Sequence, residues 1–273
     1  MKKIIRKENF SEVEKFYDGF FFDLYGVTHN GVKLFPDIIN ILRKIKSLKK
    51  KVFFISNAPR KSTEIKKFLN KIGLKKNLYF DVVSSGDITY ENYLTKLKKK
   101  KYYFIGAEKD RDFCKDLEIL EEKDLKKSNF ILNLGLNNGE TINKYIKILH
   151  NAAKESLLMI CVNPDLEVIR GKKKEFCAGS IALKYEELGG KVKYFGKPYS
   201  DIYKKTMTKM KIRNKNKILA IGDSLRTDIL GANNFQIDSA LVLSGIHVEI
   251  KEIEKICKKT NIYPKFLFNT LKW

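Results

Sequence analysis

The sequence predicts an α/β protein: a doubly wound parallel sheet forms the core, and a smaller α/β domain is inserted into it. Apolar, strand-like runs alternate with helical stretches in the first and last parts of the chain. Polar residues follow directly after several of these runs. Strands that are separated by helices form parallel sheets covered on both faces, so the alternation favours this fold class.

The first part of the chain contains three predicted strands: FFFDL (20–24), KVFFIS (51–56) and FDVVSS (80–85). Between the first two lies a run whose apolar residues have the spacing of a helix: Ile38, Ile41, Leu42 and Ile45. A second helix is predicted from about Ser62 to just before Gly73, because serine is a frequent helix start and glycine a frequent end.

The last part of the chain repeats this pattern with three more predicted strands: KVKYFG (191–196), KILAIG (217–222) and SALVLS (239–244). The middle is organised differently, with its own strand-like and helical runs. We therefore expect a core domain from residues 1–97 and 190–273 and an inserted cap domain at 98–189. Such insertions act as lids that exclude water and select the substrate.

Four predicted strands end in residues that suit catalysis. The strands end at Asp23, at Ser56 and Asn57, at Lys197 and at Asp223. In open α/β sheets the ligand binds beyond the carboxyl ends of the strands. We expect these side chains to converge on one edge of the sheet, although any one of them alone would be an ordinary turn residue.

Composition excludes several classes of function. The formal charge is +23, but 48 of the 55 basic residues are lysines and only seven are arginines, a bias typical of an A+T-rich genome. We therefore expect no nucleic-acid partner, although the charge attracts anionic substrates. No run approaches the roughly 20 apolar residues of a membrane span. The first residues are basic but contain no apolar central region and no small-residue cleavage site, so we do not expect them to be a signal peptide. We therefore expect no membrane partner. The four cysteines are dispersed and form no close pair, which indicates reduced thiols in a cytoplasmic protein.

The motifs around these strand ends resemble, in order, the four motifs of the haloacid dehalogenase (HAD) superfamily. They are DLYGV (23–27), the serine of ISNAP, GKPYSDIY with Lys197, and GDSLRTD with Asp223 and Asp228. The insertion with NPD at 163–165 is similar to class IIA, the nitrophenylphosphatase-like hydrolases with an α/β cap. The resemblance covers nearly the whole chain and implies a HAD-like Rossmannoid core.

The resemblance implies that Asp23 is the nucleophile of a phosphoryl transfer and forms an aspartyl-phosphate. It also implies Mg²⁺ as the cofactor. The ligands would be the carboxylates of Asp23 and Asp223 and the backbone carbonyl of Tyr25, with Asp228 supporting through water. A first-turn carboxylate opposing a helix dipole is the alternative explanation for Asp228.

The resemblance also implies which residues hold the phosphate. Lys197 would pair with Asp23 and with a phosphate oxygen, and Ser56 and Asn57 would bind the other oxygens. In the cap, Asn163 and Asp165 resemble the substrate-facing loop of the family. A polar turn between two strands is the competing interpretation of that loop.

Tyr25 departs from the family pattern, which has an aspartate there as general acid and base. A phenol with an ordinary pKa of about 10 can donate a proton but is rarely a free base at neutral pH. The hydrolysis of the aspartyl-phosphate should therefore suffer most, unless the cap supplies another base. Asp165 is the candidate replacement.

Three functions compete at this point. A phosphatase of a small phosphorylated metabolite is favoured. A 2-haloacid dehalogenase would explain Tyr25, since halide leaves without a proton, but such enzymes need no Mg²⁺ while both acids of GDSLRTD are present. A weakly active protein that binds a phosphometabolite is the third. Cap-to-cap pairing in related proteins leaves a homodimer open.

Overall fold

Two parallel sheets, one of seven strands and one of five, organise the part of the chain that the structure describes. The structure is a computed structural model that describes residues 4–137, 139–171, 173–243 and 250–273. Ser244, the last residue of the predicted strand at 239–244, lies outside the described residues.

In chain order the strands are β1 (Ile5–Lys7), β2 (Gly19–Asp23), β3 (Lys51–Ser56), β4 (Asp81–Ser84), β5 (Lys100–Ile105), β6 (Ile119–Glu121), β7 (Phe130–Asn133), β8 (Leu158–Cys161), β9 (Glu167–Arg170), β10 (Lys173–Phe176), β11 (Lys191–Tyr194), β12 (Ile218–Gly222), β13 (Asp238–Val242) and β14 (Phe266–Phe268). The helices are α1 (Ser11–Glu14), α2 (Ile38–Ser47), α3 (Ser62–Lys71), α4 (Ser85–Asn92), α5 (Ile146–Lys154), α6 (Ala178–Glu187), α7 (Ser200–Met210), α8 (Leu230–Phe235) and α9 (Ile250–Thr260).

The larger sheet has the order β1-β14-β13-β12-β2-β3-β4, and all its strand pairs are parallel. Chain order reverses between β2 and β12, because β3 and β4 follow on one side while β13 and β14 follow on the other. This reversal opens a crevice at the carboxyl ends of the two central strands. The sheet therefore places the residues after β2 and β12 side by side.

Alternation along β2 divides the core between the two faces of the sheet. Phe20 and Phe22 pack into the cluster that contains the buried face of α2, and Phe21 packs on the opposite face against Tyr203 of α7. All three phenylalanines are fully buried, and each buried ring contributes about 1.5–3 kcal/mol. Helices thus cover both faces, and the predicted fold class is confirmed.

The smaller sheet has the order β11-β8-β7-β5-β6 and is also parallel. α5 and α6 pack on it through a cluster of their own. β9 and β10 form an antiparallel hairpin, which lies between β8 and α6 in the chain. Hairpin and sheet together form the insertion that the sequence predicts between β4 and the final part of the chain.

The strand predicted at 191–196 is present as Lys191–Tyr194, but its predicted membership of the core sheet is wrong. Lys191–Tyr194 pairs with β8 in the smaller sheet and not with the larger one. The sheet edge explains why the pattern misleads: Lys191 and Lys193 are exposed and Val192 is only partly buried, so this strand is not a central core strand. We propose that the cap reaches to about residue 195, beyond the predicted limit of 189.

Among the described residues, no helix has the length and apolar character needed to cross a bilayer.

Candidate active site

Asp23 lies at the centre of the carboxyl edge of the larger sheet. It is the last residue of β2, and its side chain is buried. Its Oδ1 accepts a hydrogen bond from Lys197 Nζ at 2.5 Å, and Thr28 donates its hydroxyl to the Asp23 carbonyl at 2.7 Å. The strand and the turn after it therefore hold this carboxylate in one position.

Two further carboxylates join Asp23. Asp223 follows β12, the neighbouring strand, and Asp228 lies in the helical turn Leu225–Ile229 that comes next. One oxygen from each of the three carboxylates lies within 4.8 Å of the others, and all three residues are buried. Lys197 also donates to Asp228 Oδ1 at 2.7 Å. The structure thus brings together the three predicted acids and the predicted lysine.

Charge in this cluster is unbalanced. Three carboxylates face one ammonium group, which leaves two negative charges uncompensated when all are ionised. Burial raises the pKa of Asp23 to about 8, against the opposing effect of Lys197 and with a contribution from Asp228. Burial also raises the pKa of Asp223, helped by the charge of Asp23. For Lys197, burial favours the neutral amine, but Asp228 and Asp23 outweigh it and keep its pKa well above the ordinary value.

The donor set fits a hard divalent cation. Buried carboxylates that cannot all ionise next to one lysine are stabilised by a cation with oxygen ligands. The backbone at Gly26 has φ +86° and passes so near Asp223 that a Cβ atom would lie 1.9 Å from Oδ2. Only glycine allows this approach, and it brings the peptide group that joins Tyr25 to Gly26 beside the acids.

Lys197 reaches the cluster from the smaller sheet. It follows β11 by three residues, and Asn57 at the end of β3 holds its peptide groups: Lys197 N donates to Asn57 Oδ1 at 2.7 Å, and Asn57 Nδ2 donates to the Lys197 carbonyl at 3.1 Å. Gly196, with φ +97°, permits this, because a Cβ there would lie 2.5 Å from Asn57 Oδ1. The Asn57 side chain therefore holds the backbone of Lys197 in place with two hydrogen bonds.

Ser56 and Asn57 differ in what they can offer a phosphate. The Ser56 hydroxyl accepts a hydrogen bond from Ala58 N at 3.2 Å, which leaves its own proton for an acceptor in the cavity. The Asn57 amide uses both donor hydrogens, on Asp165 Oδ1 at 2.9 Å and on the Lys197 carbonyl. The geometry thus suits the predicted role of Ser56, whereas Asn57 would have to break existing bonds to bind phosphate.

Tyr25 lines the cavity, but its hydroxyl is engaged elsewhere. It donates to the Asn30 carbonyl at 3.2 Å, and Gly171 N, in the turn of the β9–β10 hairpin, donates to the same carbonyl at 3.2 Å. The ring meets His29 edge-on at 5.4 Å. Burial raises the pKa of Tyr25 to about 12. The phenol therefore joins the loop around Asn30, which follows β2, to the hairpin, and it is not a base at neutral pH.

The NPD loop docks on the core. Asn163 Oδ1 accepts from Asp165 N at 2.9 Å, which closes a tight turn. Sequence reasoning missed Arg226, whose Nη1 donates to the Pro164 carbonyl at 2.7 Å. The available signal was its position inside GDSLRTD, as one of only seven arginines in the chain.

A cavity of about 400 Å³ connects these groups to the cap. Its core side carries the charged cluster and aromatic residues, and its cap side carries the β9–β10 hairpin. Sequence reasoning did not single out the aromatic and apolar side chains that line it, which include Phe35, Phe68, Ile169 and Phe176. The cavity holds space for a phosphate and for a larger attached group.

Comparison with known proteins agrees with this arrangement. A family model described as haloacid dehalogenase-like hydrolase matches residues 20–119, and a second, HAD-hydrolase-like, matches residues 194–272. This chain belongs to the haloacid dehalogenase superfamily. The two matched segments contain the motifs at 23–27 and at 223–228, so the predicted resemblance is confirmed for the superfamily.

Relatives of full length place the chain within class IIA of this superfamily. It is 28% identical to a 4-nitrophenylphosphatase of Schizosaccharomyces pombe over 93% of both chains. A haloacid dehalogenase-like hydrolase from Brucella suis has 27% identity and a TM-score of 0.87, covering 97% of this chain and 99% of that one. A possible sugar phosphatase from Cytophaga hutchinsonii has 25% identity and a TM-score of 0.82, covering 97% and 98%.

Proposed function

We propose that this protein is a Mg²⁺-dependent phosphatase that hydrolyses a small phosphorylated metabolite through an aspartyl-phosphate on Asp23. The cluster of three buried carboxylates around one lysine carries the proposal. Relatives that bear the names 4-nitrophenylphosphatase and possible sugar phosphatase support it. We further propose a cytoplasmic location, since all four cysteines are free and buried.

Asp23, Asp223, Asp228 and the Tyr25 carbonyl would hold the Mg²⁺. When bound, the cation would neutralise charge on the nucleophile and on the phosphate, which lets two anions approach each other. Lys197 would neutralise a further phosphate oxygen while it keeps Asp23 oriented, and Ser56 would donate its hydroxyl proton to another. The fixed positions of these groups suit an in-line attack by Asp23 on phosphorus.

A dehalogenase remains the second candidate because of Tyr25. The closely spaced acids argue against it, since dehalogenases of this superfamily need no metal and would gain nothing from Asp223 and Asp228 beside the nucleophile. The expectations of no nucleic-acid partner and of a homodimer stay predictions.

Phosphate and halide release, measured side by side, test the proposal. The purified protein is offered a panel of phosphate esters and, separately, 2-chloropropionate, each with Mg²⁺ or with EDTA. We expect phosphate release that needs Mg²⁺ and that Asp23→Asn abolishes. Halide release in EDTA would select the dehalogenase, and ligand binding without any turnover would select the binding protein.

A further inference from the structure

Hydrolysis of a phosphate ester needs a group that handles protons, and Tyr25 is badly placed for this task. The alcohol leaves as an alkoxide unless it receives a proton, and the water that attacks the aspartyl-phosphate must lose one. The Tyr25 hydroxyl donates its hydrogen bond to the Asn30 carbonyl, in the loop that follows β2. Neighbouring His29 accepts from Gly31 N through Nδ1, and burial lowers its pKa to about 4. Another side chain must therefore carry the proton.

Asp165 is a carboxyl group held at the cavity by its loop. Its backbone N donates to Asn163 Oδ1 at 2.9 Å, and its carbonyl accepts from Gly179 N at 3.1 Å. Its Oδ1 accepts from Asn57 at 2.9 Å, whereas no described residue donates a hydrogen bond to Oδ2. Asp165 lines the same cavity as Asp23. One oxygen is thus anchored and the other remains for substrate or water.

Asn57 connects Asp165 to the reacting groups. The same amide nitrogen that donates to Asp165 also donates to the Lys197 carbonyl, and Lys197 Nζ lies 2.5 Å from Asp23 Oδ1. The Asn57 side chain therefore fixes the separation between the Asp165 carboxyl and the pair formed by Lys197 and Asp23. These hydrogen bonds of Asn57 set the position of Asp165 relative to Asp23, the proposed nucleophile.

Other carboxylates of the cavity wall are less suited. Three of them form ion pairs with basic side chains: Asp110 with Arg60, Glu175 with Arg170 and Glu167 with Lys174. Glu64 is exposed on α3. Of the described acids that line the cavity outside the Asp23 cluster, Asp165 alone combines a fixed position with contact to the phosphate-site residues.

We propose that Asp165 is the general acid and base of this enzyme, in the role that the family pattern gives to position 25. The inference rests on the proposed phosphatase function. In the first step Asp23 forms a bond to phosphorus, the bond from phosphorus to the ester oxygen breaks, and that oxygen takes the proton of the Asp165 carboxyl. In the second step the Asp165 carboxylate takes a proton from water, whose oxygen bonds to phosphorus while the Asp23–phosphorus bond breaks. Inorganic phosphate leaves, and both carboxyl groups return to their starting states.

The burial of Asp165 favours the protonated form of its carboxyl group. Burial raises its pKa, while Lys197 and the hydrogen bond from Asn57 act in the opposite direction. A raised pKa favours the protonated carboxyl that a general acid must present to the leaving oxygen.

Asp165→Asn separates proton transfer from position. The asparagine keeps an oxygen that accepts a hydrogen bond from Asn57, but it cannot exchange a proton. The hydrogen bonds that link position 165 through Asn57 to Lys197 are therefore retained. The variant is assayed in single turnovers with Mg²⁺ on two substrates: 4-nitrophenyl phosphate, whose leaving group needs no proton, and a simple alkyl phosphate, whose leaving group does. Asp110→Asn is the matched control, since it makes the same change in another carboxylate of the cavity wall.

We expect alcohol release from the alkyl phosphate to fall by about 10²–10⁴-fold in Asp165→Asn, and nitrophenolate release to fall far less. Phosphoenzyme should also accumulate with 4-nitrophenyl phosphate, because its hydrolysis loses the base. Asp110→Asn should leave the ratio of the two rates unchanged. Equal losses on both substrates, or no loss, would overturn the proposal. Failure of the wild-type protein to release phosphate from any ester would instead overturn the proposed function.

Discussion

The cavity wall formed by the larger sheet differs from the wall formed by the β9–β10 hairpin in how its charges are held. On the first wall, the side chains of Lys197 and Asp23 are 2% and 8% exposed at a distance of 2.5 Å. On the second, Arg170 and Glu175 are 45% and 23% exposed at 2.9 Å. The hairpin also presents apolar side chains such as Phe176, which is 40% exposed.

This contrast shows a division of tasks. A buried pair is costly to desolvate and strongly destabilising to break, so it holds its groups in one geometry. An exposed pair contributes only about 0–1 kcal/mol and leaves its side chains free to rearrange. We infer that the core wall performs the chemistry and the hairpin adapts to the part of the substrate that varies.

Lys197→Met should have the largest effect. It removes the only ammonium group of the described acid cluster while it keeps the length of the side chain. We expect kcat/KM to fall by at least about 10²–10³-fold, as for other removed electrostatic donors. Steady-state kinetics with Mg²⁺ measure this loss. Lys109→Met, at a lysine of the cap side of the cavity, is the control and should change kcat/KM only a few-fold, roughly.

Asn57→Ala tests the hydrogen bonds that hold Lys197 and Asp165 in place. It removes three hydrogen bonds, two to the backbone of Lys197 and one to Asp165. We expect kcat to fall roughly 10²-fold, because a misplacement of about 1 Å has that effect on a reacting group. Asn233→Ala, which removes a bond to the Tyr263 carbonyl away from the cavity, should leave kcat unchanged. A larger change in KM than in kcat would contradict a positioning role.

The charge of the core wall should also set the pH dependence of stability. The pKa of Asp23 is raised to about 8 in the folded protein, so the folded state holds a proton that the unfolded chain releases above about pH 4. This stabilisation is complete below about pH 4 and is lost as the pH rises through about 8. In EDTA we expect the Tm to fall by at least about 3 °C between about pH 6 and pH 8.5, and Mg²⁺ to reduce the fall. A Tm that rises over this range would contradict the arrangement.

Phe176→Ala tests the hairpin wall. The ring is partly exposed, so its removal should hardly change the free energy of unfolding. We expect KM for esters with a large apolar group to rise by up to about tenfold, with kcat nearly constant, because only binding area is lost. Kinetics on a small alkyl phosphate, which has no large apolar group to pack against the ring, serve as the comparison. A loss of kcat on both substrates would remove the division of tasks.

Tyr25→Phe should have the smallest effect. It removes the hydrogen bond to the Asn30 carbonyl and keeps the ring against His29. We expect a loss of about 0.5–1.5 kcal/mol in the free energy of unfolding and only a few-fold change in kcat. Denaturant titration and kinetics measure the two quantities. A loss of more than about 10²-fold in kcat would identify the phenol as a proton donor after all.

Much of the fold was predictable from local pattern. The buried strand β2, with its phenylalanines, and the helical spacing of the apolar residues in α2 both appear as expected. α3 begins at Ser62 as predicted, but Lys61 occupies the cap position without a side-chain bond. Patterns of this kind depend on contacts with the nearest elements, and a single sequence carries them.

Sheet membership was not predictable. β11 has the pattern of a strand, but its partner could be either of two parallel sheets, and hydrogen bonds between strands depend on residues far apart in the chain. The direction of the Tyr25 phenol was also not predictable from local sequence. It depends on Asn30 and on the hairpin turn at Gly171, more than a hundred residues later.

Local sequence was sufficient to place Asp23, Ser56 and Asp223 at one edge, since the carboxyl ends of adjacent parallel strands must meet there. Folding in three dimensions decided the remainder: that Lys197 comes shortly after a strand of the smaller sheet, that the Asn57 amide is used to hold it, and that Asp165 lines the same cavity as Asp23. Those outcomes rest on side-chain bonds across 108 and 140 positions of the chain, a separation over which no local periodicity carries information.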